Sequence, residues 1–275
     1  MTWQRESTKI LSWISRSILT SMIKSGSTST MANGYILYEG QSMIDGVDIV
    51  VIATGFDKAS GNSKTGGGMI QTFILVKDTD PREANKLGLD YSICGDCKLR
   101  GVAVDASSDR KLAKDRACYV AIYQAPLNVW KTYKKGGYDY VKGDNALAVL
   151  GKDRLIRLGS YGDPSAVPSY IWDSFLFYSK GRTGYTHQSV NQRYDLCMKS
   201  ADSLDEAMAS WDSGIRTFRV IDSVNAMVKG KEILCPASEE AGRRTTCDSC
   251  KLCSGSDINA KSIAIVAHGN GAKYI

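Results

Sequence analysis

The run Thr246-Cys247-Asp248-Ser249-Cys250-Lys251-Leu252-Cys253 constrains this chain more than any other stretch, because its three cysteines fall at three-residue steps. Cys235-Pro236 stands twelve residues upstream of the first of them. One tight loop supplying three thiolates, with a remote Cys-Pro supplying the fourth, is the grammar of a [4Fe–4S] site. A single zinc ion more often draws on two separated C-x2-C knuckles that close tetrahedrally around it. Cys235, Cys247, Cys250 and Cys253 thus make a complete four-ligand set. An iron–sulfur cluster is the first expectation for it, and zinc the alternative.

The chain holds eight cysteines in 275 residues. A secreted disulfide framework fits poorly, since the chain is long, lacks a clean secretory signal and groups its cysteines in pairs and triplets. The second group is Cys94, Cys97 and Cys118, with no fourth cysteine beside it. Cys197 or a histidine could complete a zinc or cluster site there. A cluster on three cysteines could leave one iron open to substrate, or the two groups could merge into one site. Cys197, in Leu-Cys-Met, reads as a buried structural residue.

Composition bounds the class. Hydrophobic residues make up 43% and charged residues 23%, as in an ordinary globular protein, and no apolar run is long enough to predict a membrane span. The net charge of +6 permits contact with nucleic acid but describes a solvated lysine-bearing surface equally well.

Residues 1–33 read as a flexible extension or a mis-called start, with Ile10, Leu11, Ile14, Ile18, Leu19 and Ile23 at helical spacing before a Ser/Thr linker. Residues 34–275 read as a single α/β metal-binding domain: β-rich over 34–78, a cysteine loop region over 90–122, and β/α units over 150–275. Strands are predicted around Tyr35–Tyr38, Ile49–Ala53 and Met69–Val76, the first two joined by a turn at Asp45-Gly46. Ser60–Gly66 has the look of a phosphate loop but not its spacing, and reads as a hairpin tip. In the second half strands near 155, 183, 196, 217, 231 and 262 alternate with helices at 169–178 and 203–211, the latter opened by a Ser203/Glu206 capping box. That alternation predicts parallel β/α units, with a partial (β/α) barrel as first choice and an open doubly wound sheet as second.

In such folds ligands sit at the C-terminal ends of strands. Those ends carry His187, Asp163 and Arg219 as candidate catalytic groups and Tyr161, Thr186, Gln188 and Glu239 as candidate substrate contacts. His187 and His268 are the only histidines, and both fall there. Asp163, just before Pro164, could equally cap the turn that follows. Arg157 could clamp an anion or pair with a carboxylate.

Several motifs occur in order: Ile-Cys-Gly-Asp-Cys, Cys-Tyr-Val, Gly-Ser-Tyr-Gly-Asp-Pro, Tyr-Thr-His-Gln, Arg-Thr-Phe-Arg-Val, Cys-Pro-Ala-Ser-Glu-Glu and the final cysteine triplet. Together they resemble a group of bacteriophage proteins distantly similar to the gene-product-eighty-eight-like family. The resemblance spans about residues 34–270. It implies a phage-encoded protein working in the host cytoplasm, with metal held by Cys94, Cys97, Cys118, Cys235, Cys247, Cys250 and Cys253. It carries no activity with it. Where other members continue the first pair with Pro-His-Arg-Gly, this chain has Lys98-Leu99-Arg100-Gly101, which removes one possible histidine ligand.

Three functions compete. The first is an iron–sulfur redox or radical-type enzyme, although the C-x3-C-x2-C run of standard radical enzymes is absent. The second is a metal-stabilised protein binding single-stranded nucleic acid through Arg110–Arg116 and Lys131–Lys135, with Trp130, Tyr133, Tyr138 and Tyr140 as stacking rings. The third is a non-enzymatic virion or host-interaction protein.

Overall fold

Three apolar runs form the antiparallel heart of the first sheet: β1 (Gly34–Gln41), β2 (Asp48–Thr54) and β3 (Met69–Val76). The β1–β2 turn is closed by Val47 N donating to Asp45 Oδ1 at 3.1 Å, with Gly46 at φ +79°. Every residue of β3 is buried, and so are five of the seven in β2. A continuous apolar run of this kind is what a strand covered on both faces requires. β4 (Asp139–Tyr140) adds parallel to β1, β5 (Leu155–Tyr161) parallel to β3, and β6 (Gly181–Thr183) parallel to β5, giving the order β4-β1-β2-β3-β5-β6.

A computed structural model of the chain describes residues 32–58, 63–189, 191–257 and 259–275. The helix and linker expected before Met31 lie outside the described residues, as does part of the Ser60–Gly66 loop, of which Ser63–Thr65 forms a 3-10 turn. The main core gathers the inner residues of β1, β2, β3 and β5 with Ile171, Trp172 and Phe175 of a helix running Ser169–Leu176. Burying each of these large side chains contributes about 1.5–3 kcal/mol before chain entropy is set against it. Trp172 also donates its indole N–H to the Pro164 carbonyl at 2.9 Å, so its one polar atom is satisfied.

The second sheet is parallel throughout: β7 (Tyr185–Thr186), β8 (Met198–Ala201), β9 (Thr217–Ile221), β10 (Glu232–Leu234) and β11 (Ser262–Val266), in the order β10-β11-β9-β8-β7. A helix over Leu204–Asp212 crosses from β8 to β9. Its cap is the expected pair displaced by one residue. Ser203 Oγ accepts from Glu206 N at 3.1 Å, while the Glu206 carboxylate accepts from Asp202 N at 2.8 Å rather than from Ser203.

Only Gly184 separates β6 from β7, so the chain passes from one sheet to the other through a single residue. A Cβ there would stand 2.8 Å from Cys197 Sγ and 3.0 Å from Leu158 Cβ, closer than packing allows. The α/β class is as expected, in a mixed first sheet and an all-parallel second one. The strands do not close into a barrel: among the described residues nothing pairs β10 with β4. No helix among them is long and apolar enough to cross a membrane.

Candidate metal centre

Side chains at i and i+2 of a strand share a face, and on the parallel strands one such face is concave. Arg157, Gly159 and Tyr161 of β5 line it, followed by Thr183, Tyr185 and His187 along β6–β7. Ser200 and Asp202 continue it from β8, Phe218 and Val220 from β9, and Ile263, Ile265 and Ala267 from β11. Together with the cysteine loops they line a cavity of about 190 Å³. Seven of the eight cysteines lie on its wall: Cys94, Cys97, Cys118, Cys235, Cys247, Cys250 and Cys253. None of the eight is in a disulfide. Cys197 stands apart, 2% exposed within the main core.

The C-terminal set is shaped by local backbone. Cys247–Cys250 is one helical turn, which puts those two residues on one side, and Lys251 then takes a left-handed φ of +54° that turns Cys253 back. Cys235 directly follows β10, its N–H donating to Ala264 O of β11 at 2.8 Å. Gly184 N donates to Cys253 O at 3.1 Å, tying the loop to the junction between the sheets. Arg216, 5% exposed, donates to the carbonyls of Leu252 (2.7 Å), Gly255 (3.0 Å) and Lys261 (2.8 Å).

The first set repeats the device. Tyr91–Cys94 is a helical turn, Gly95 has φ +51°, and Cys97 precedes a 3-10 turn over Lys98–Arg100. A side chain on Gly95 would collide with the Gln188 amide, which clamps the loop by donating to Cys94 O at 2.9 Å. Cys118 N donates to Leu99 O at 2.8 Å, bringing the third thiol alongside. From β7 the His187 ring reaches in: Nε2 lies 3.6 Å from Cys97 Sγ and 3.0 Å from Asp202 Oδ1. Asp163 holds the His187 backbone, accepting its N–H at 2.8 Å, and also caps the next turn by accepting from Ser165 N at 2.9 Å.

The electrostatics are those of crowded sulfur. Burial pushes the Cys94 thiol far up, and Asp90, Cys97 and Cys118 add to it. Burial likewise raises Cys118 against the pull of Arg116. Cys253 is pushed up to about 12, chiefly by burial, although the Tyr185 hydroxyl hydrogen-bonded to it works the other way. For His187 burial opposes protonation, but Cys97 and Asp202 outweigh it and the imidazole pKa is raised.

Arg157 is 8% exposed and its partners are unusual for a buried cation. It donates to the Tyr119 hydroxyl at 2.7 Å and lies over the Tyr185 ring, 5.4 Å from the centroid. Burial works against its charge, while Tyr119, Tyr185, Cys247 and Cys253 favour it. No carboxylate among the described residues forms an ion pair with it. An uncompensated buried ion costs several kcal/mol, and the thiols beside it carry the missing charge only when deprotonated. That donor chemistry fits a thiolate-bound metal. As they stand, no three His, Cys, Asp or Glu side chains among the described residues are grouped so that they could hold an ion.

No protein-family model, curated protein or solved structure matches this chain.

The remaining candidates are distributed as follows. Tyr161, Asp163 and His187 line the cavity. Thr186 and Gln188 sit beneath it, buried, Thr186 within 2.9 Å of Ser165 Oγ. Arg219 alternates with the inward Phe218 and Val220 and is instead locked to Glu232 at 2.7 Å. Glu239 is exposed and pairs with Arg243. His268 is exposed at the rim, its ring tilted 36° against Tyr119 with centroids 5.4 Å apart. Of the rings proposed for stacking on bases, Trp130, Tyr133 and Tyr138 pack against the main core, and Tyr140 is exposed. Sequence reasoning passed over Asp202, Tyr119 and Arg216. Asp202 carried a faint signal as the polar residue ending a strand.

Proposed function

We propose that this chain is an iron–sulfur protein that carries a [4Fe–4S] cluster on Cys235, Cys247, Cys250 and Cys253, with zinc as the competing occupant of the same thiolates. On this reading the parallel strands form a partial, open (β/α) barrel and the protein is the phage-encoded, host-cytoplasmic protein that its motifs resemble. The observation that carries it is Arg157, a buried guanidinium whose charge is favoured by Tyr119 and Tyr185 and then by Cys247 and Cys253, with no carboxylate among them. A thiolate-bound cluster is a net anion, and its charge would satisfy that cation. When bound, the cluster supplies one-electron transfer at a potential tuned by hydrogen bonds to sulfur and by exposure. The chain's residues set both. Tyr185 hydrogen-bonds Cys253, and Phe218, Val220, Ile263 and Ile265 keep that wall of the cavity apolar.

Anaerobic purification with iron and sulfide counts tests this. About four irons and four sulfides per chain are expected, with brown colour and a reducible signal. Cys250→Ser should lose most of the iron. Colourless protein carrying zinc alone would overturn the cluster and leave zinc on these cysteines.

A further inference from the structure

The geometry points to a redox-active dithiol at Cys94-Gly95-Asp96-Cys97, which exchanges with small organic disulfides. It is separate from the cluster proposed above and does not depend on it. The four residues form a β-turn: Cys97 N donates to Cys94 O at 3.3 Å, and Gly95, at φ +51° and ψ −131°, takes the first central position of a type II′ turn. Such a turn holds its outer Cα atoms within about 7 Å, and a disulfide joins Cα atoms about 4.4–6.8 Å apart. The backbone thus already stands in the range that a Cys94–Cys97 bridge needs. The turn is also fixed from outside. Gln188, 3% exposed and two residues past β7, donates its amide to Cys94 O at 2.9 Å and accepts from Asp96 N at 3.4 Å. One buried side chain therefore holds both halves of the turn.

Both cysteines line the cavity and both are half-buried, so a small disulfide can meet them there. Cys94 also packs against the main core, which Cys97 does not. Cys97 is accordingly the thiol that attacks and Cys94 the one that resolves. In the first step the Cys97 sulfur bonds to one sulfur of the incoming disulfide, whose S–S bond breaks, and the departing half takes the Cys97 proton and leaves as a thiol. In the second, the Cys94 sulfur bonds to Cys97 and displaces the other half, which leaves with the Cys94 proton. The loop loses two electrons and two protons, and the external disulfide gains them as two thiols. His187 is not required as a base, since its Nε2 is held by Asp202 Oδ1 at 3.0 Å.

The full chain, purified anaerobically, is equilibrated with reduced and oxidised glutathione at graded ratios, alkylated, and mapped by peptide mass spectrometry. The peptide carrying Cys94 and Cys97 should pass from doubly alkylated to internally bridged in a single two-electron transition, and back when the ratio is reversed. Cys118→Ser should leave that transition unchanged. Cys94→Ser should stop the exchange half-way, with one glutathione held on Cys97, whereas Cys97→Ser should lose most of the adduct. Gln188→Ala, which frees the turn, should need a several-fold more oxidising ratio for half conversion. Iron counted in the same samples reads the cluster independently. A peptide that stays doubly alkylated at the most oxidising ratio would overturn the proposal, and so would Cys97 joined to Cys118 instead. Absence of the glutathione adduct in a Cys94→Ser chain with intact circular dichroism would overturn it as well.

Discussion

At the scale of single residues, two buried arginines, one on a strand of each sheet, show how environment divides their roles. Arg219 meets Glu232 through two hydrogen bonds, at 2.7 and 3.0 Å, and faces away from the cavity. It is a structural ion pair. Arg157 faces inward and has phenol, ring and thiols for company. Arg157→Met should therefore leave the fold intact but speed iron loss to a chelator, weakening retention about 10- to 100-fold as loss of a supporting partner does. Arg157→Lys should keep most of it. Anaerobic chelator-challenge kinetics give the answer, and unchanged retention in Arg157→Met would remove the charge argument. Both arginines are visible in the sequence at inner positions of strands, but which face each takes depends on strand register, and a shift of one residue would exchange their roles.

At the scale of elements, the cysteine loops and the helix caps were readable because each is encoded within a few residues. The helix Pro81–Lys86 starts on Asp80-Pro81, with Asp80 accepting from Arg82 N at 2.8 Å and pairing with the Arg82 guanidinium at 2.7 Å. Arg82 first, then the backbone N–H groups, hold the Asp80 carboxyl below its ordinary value. A depressed pKa favours the charged form in the folded state, so its contribution is present above the ordinary carboxylate value of about 3.9 and is lost as pH falls through the lowered one. Asp80→Ala should cost about 1 kcal/mol at neutral pH, and the gap from the parent should close in acid. Urea unfolding at several pH values measures it; a gap that widens in acid would contradict the cap. The Ser203 helix was predicted with equal ease, yet its Glu206 carboxylate went to Asp202 N, because the backbone at the end of β8 placed that donor within reach. The helical turn Tyr91–Cys94 and the helix Asp144–Gly151 were not anticipated, as short apolar segments carry little periodicity.

At the scale of the whole domain Ala32–Ile275, the two sheets are unequally supported. The main core joins most strands of the first sheet to the helix Ser169–Leu176, whereas the second cluster rests on Met198, Cys235, Ala237, Ile263 and Ile265. Two of the partly buried residues packed on that smaller cluster are Cys247 and Cys253. Removing metal should thus loosen the second sheet selectively, because regions with few buried contacts open first. Hydrogen exchange on chelator-treated protein should rise over β10, Cys247–Cys253 and β11 while β2 and β3 stay protected. An equal rise in both sheets, or none, would show that metal does not support this half.

The sequence by itself determined the local shape of the two cysteine groups, since cysteine spacing, a glycine or left-handed residue after a helical turn, and a Cys-Pro just past a strand all act within a few residues. It also determined the α/β class, because apolar runs and helix caps are local signals. Only the tertiary structure decided that both cysteine groups line one cavity, that His187 stands beside Cys97 with Asp202 on the same nitrogen, and that Arg157 turns inward while Arg219 turns out. Those contacts join residues tens of positions apart through strand order and register, and those are settled by burying the apolar faces of all the strands together.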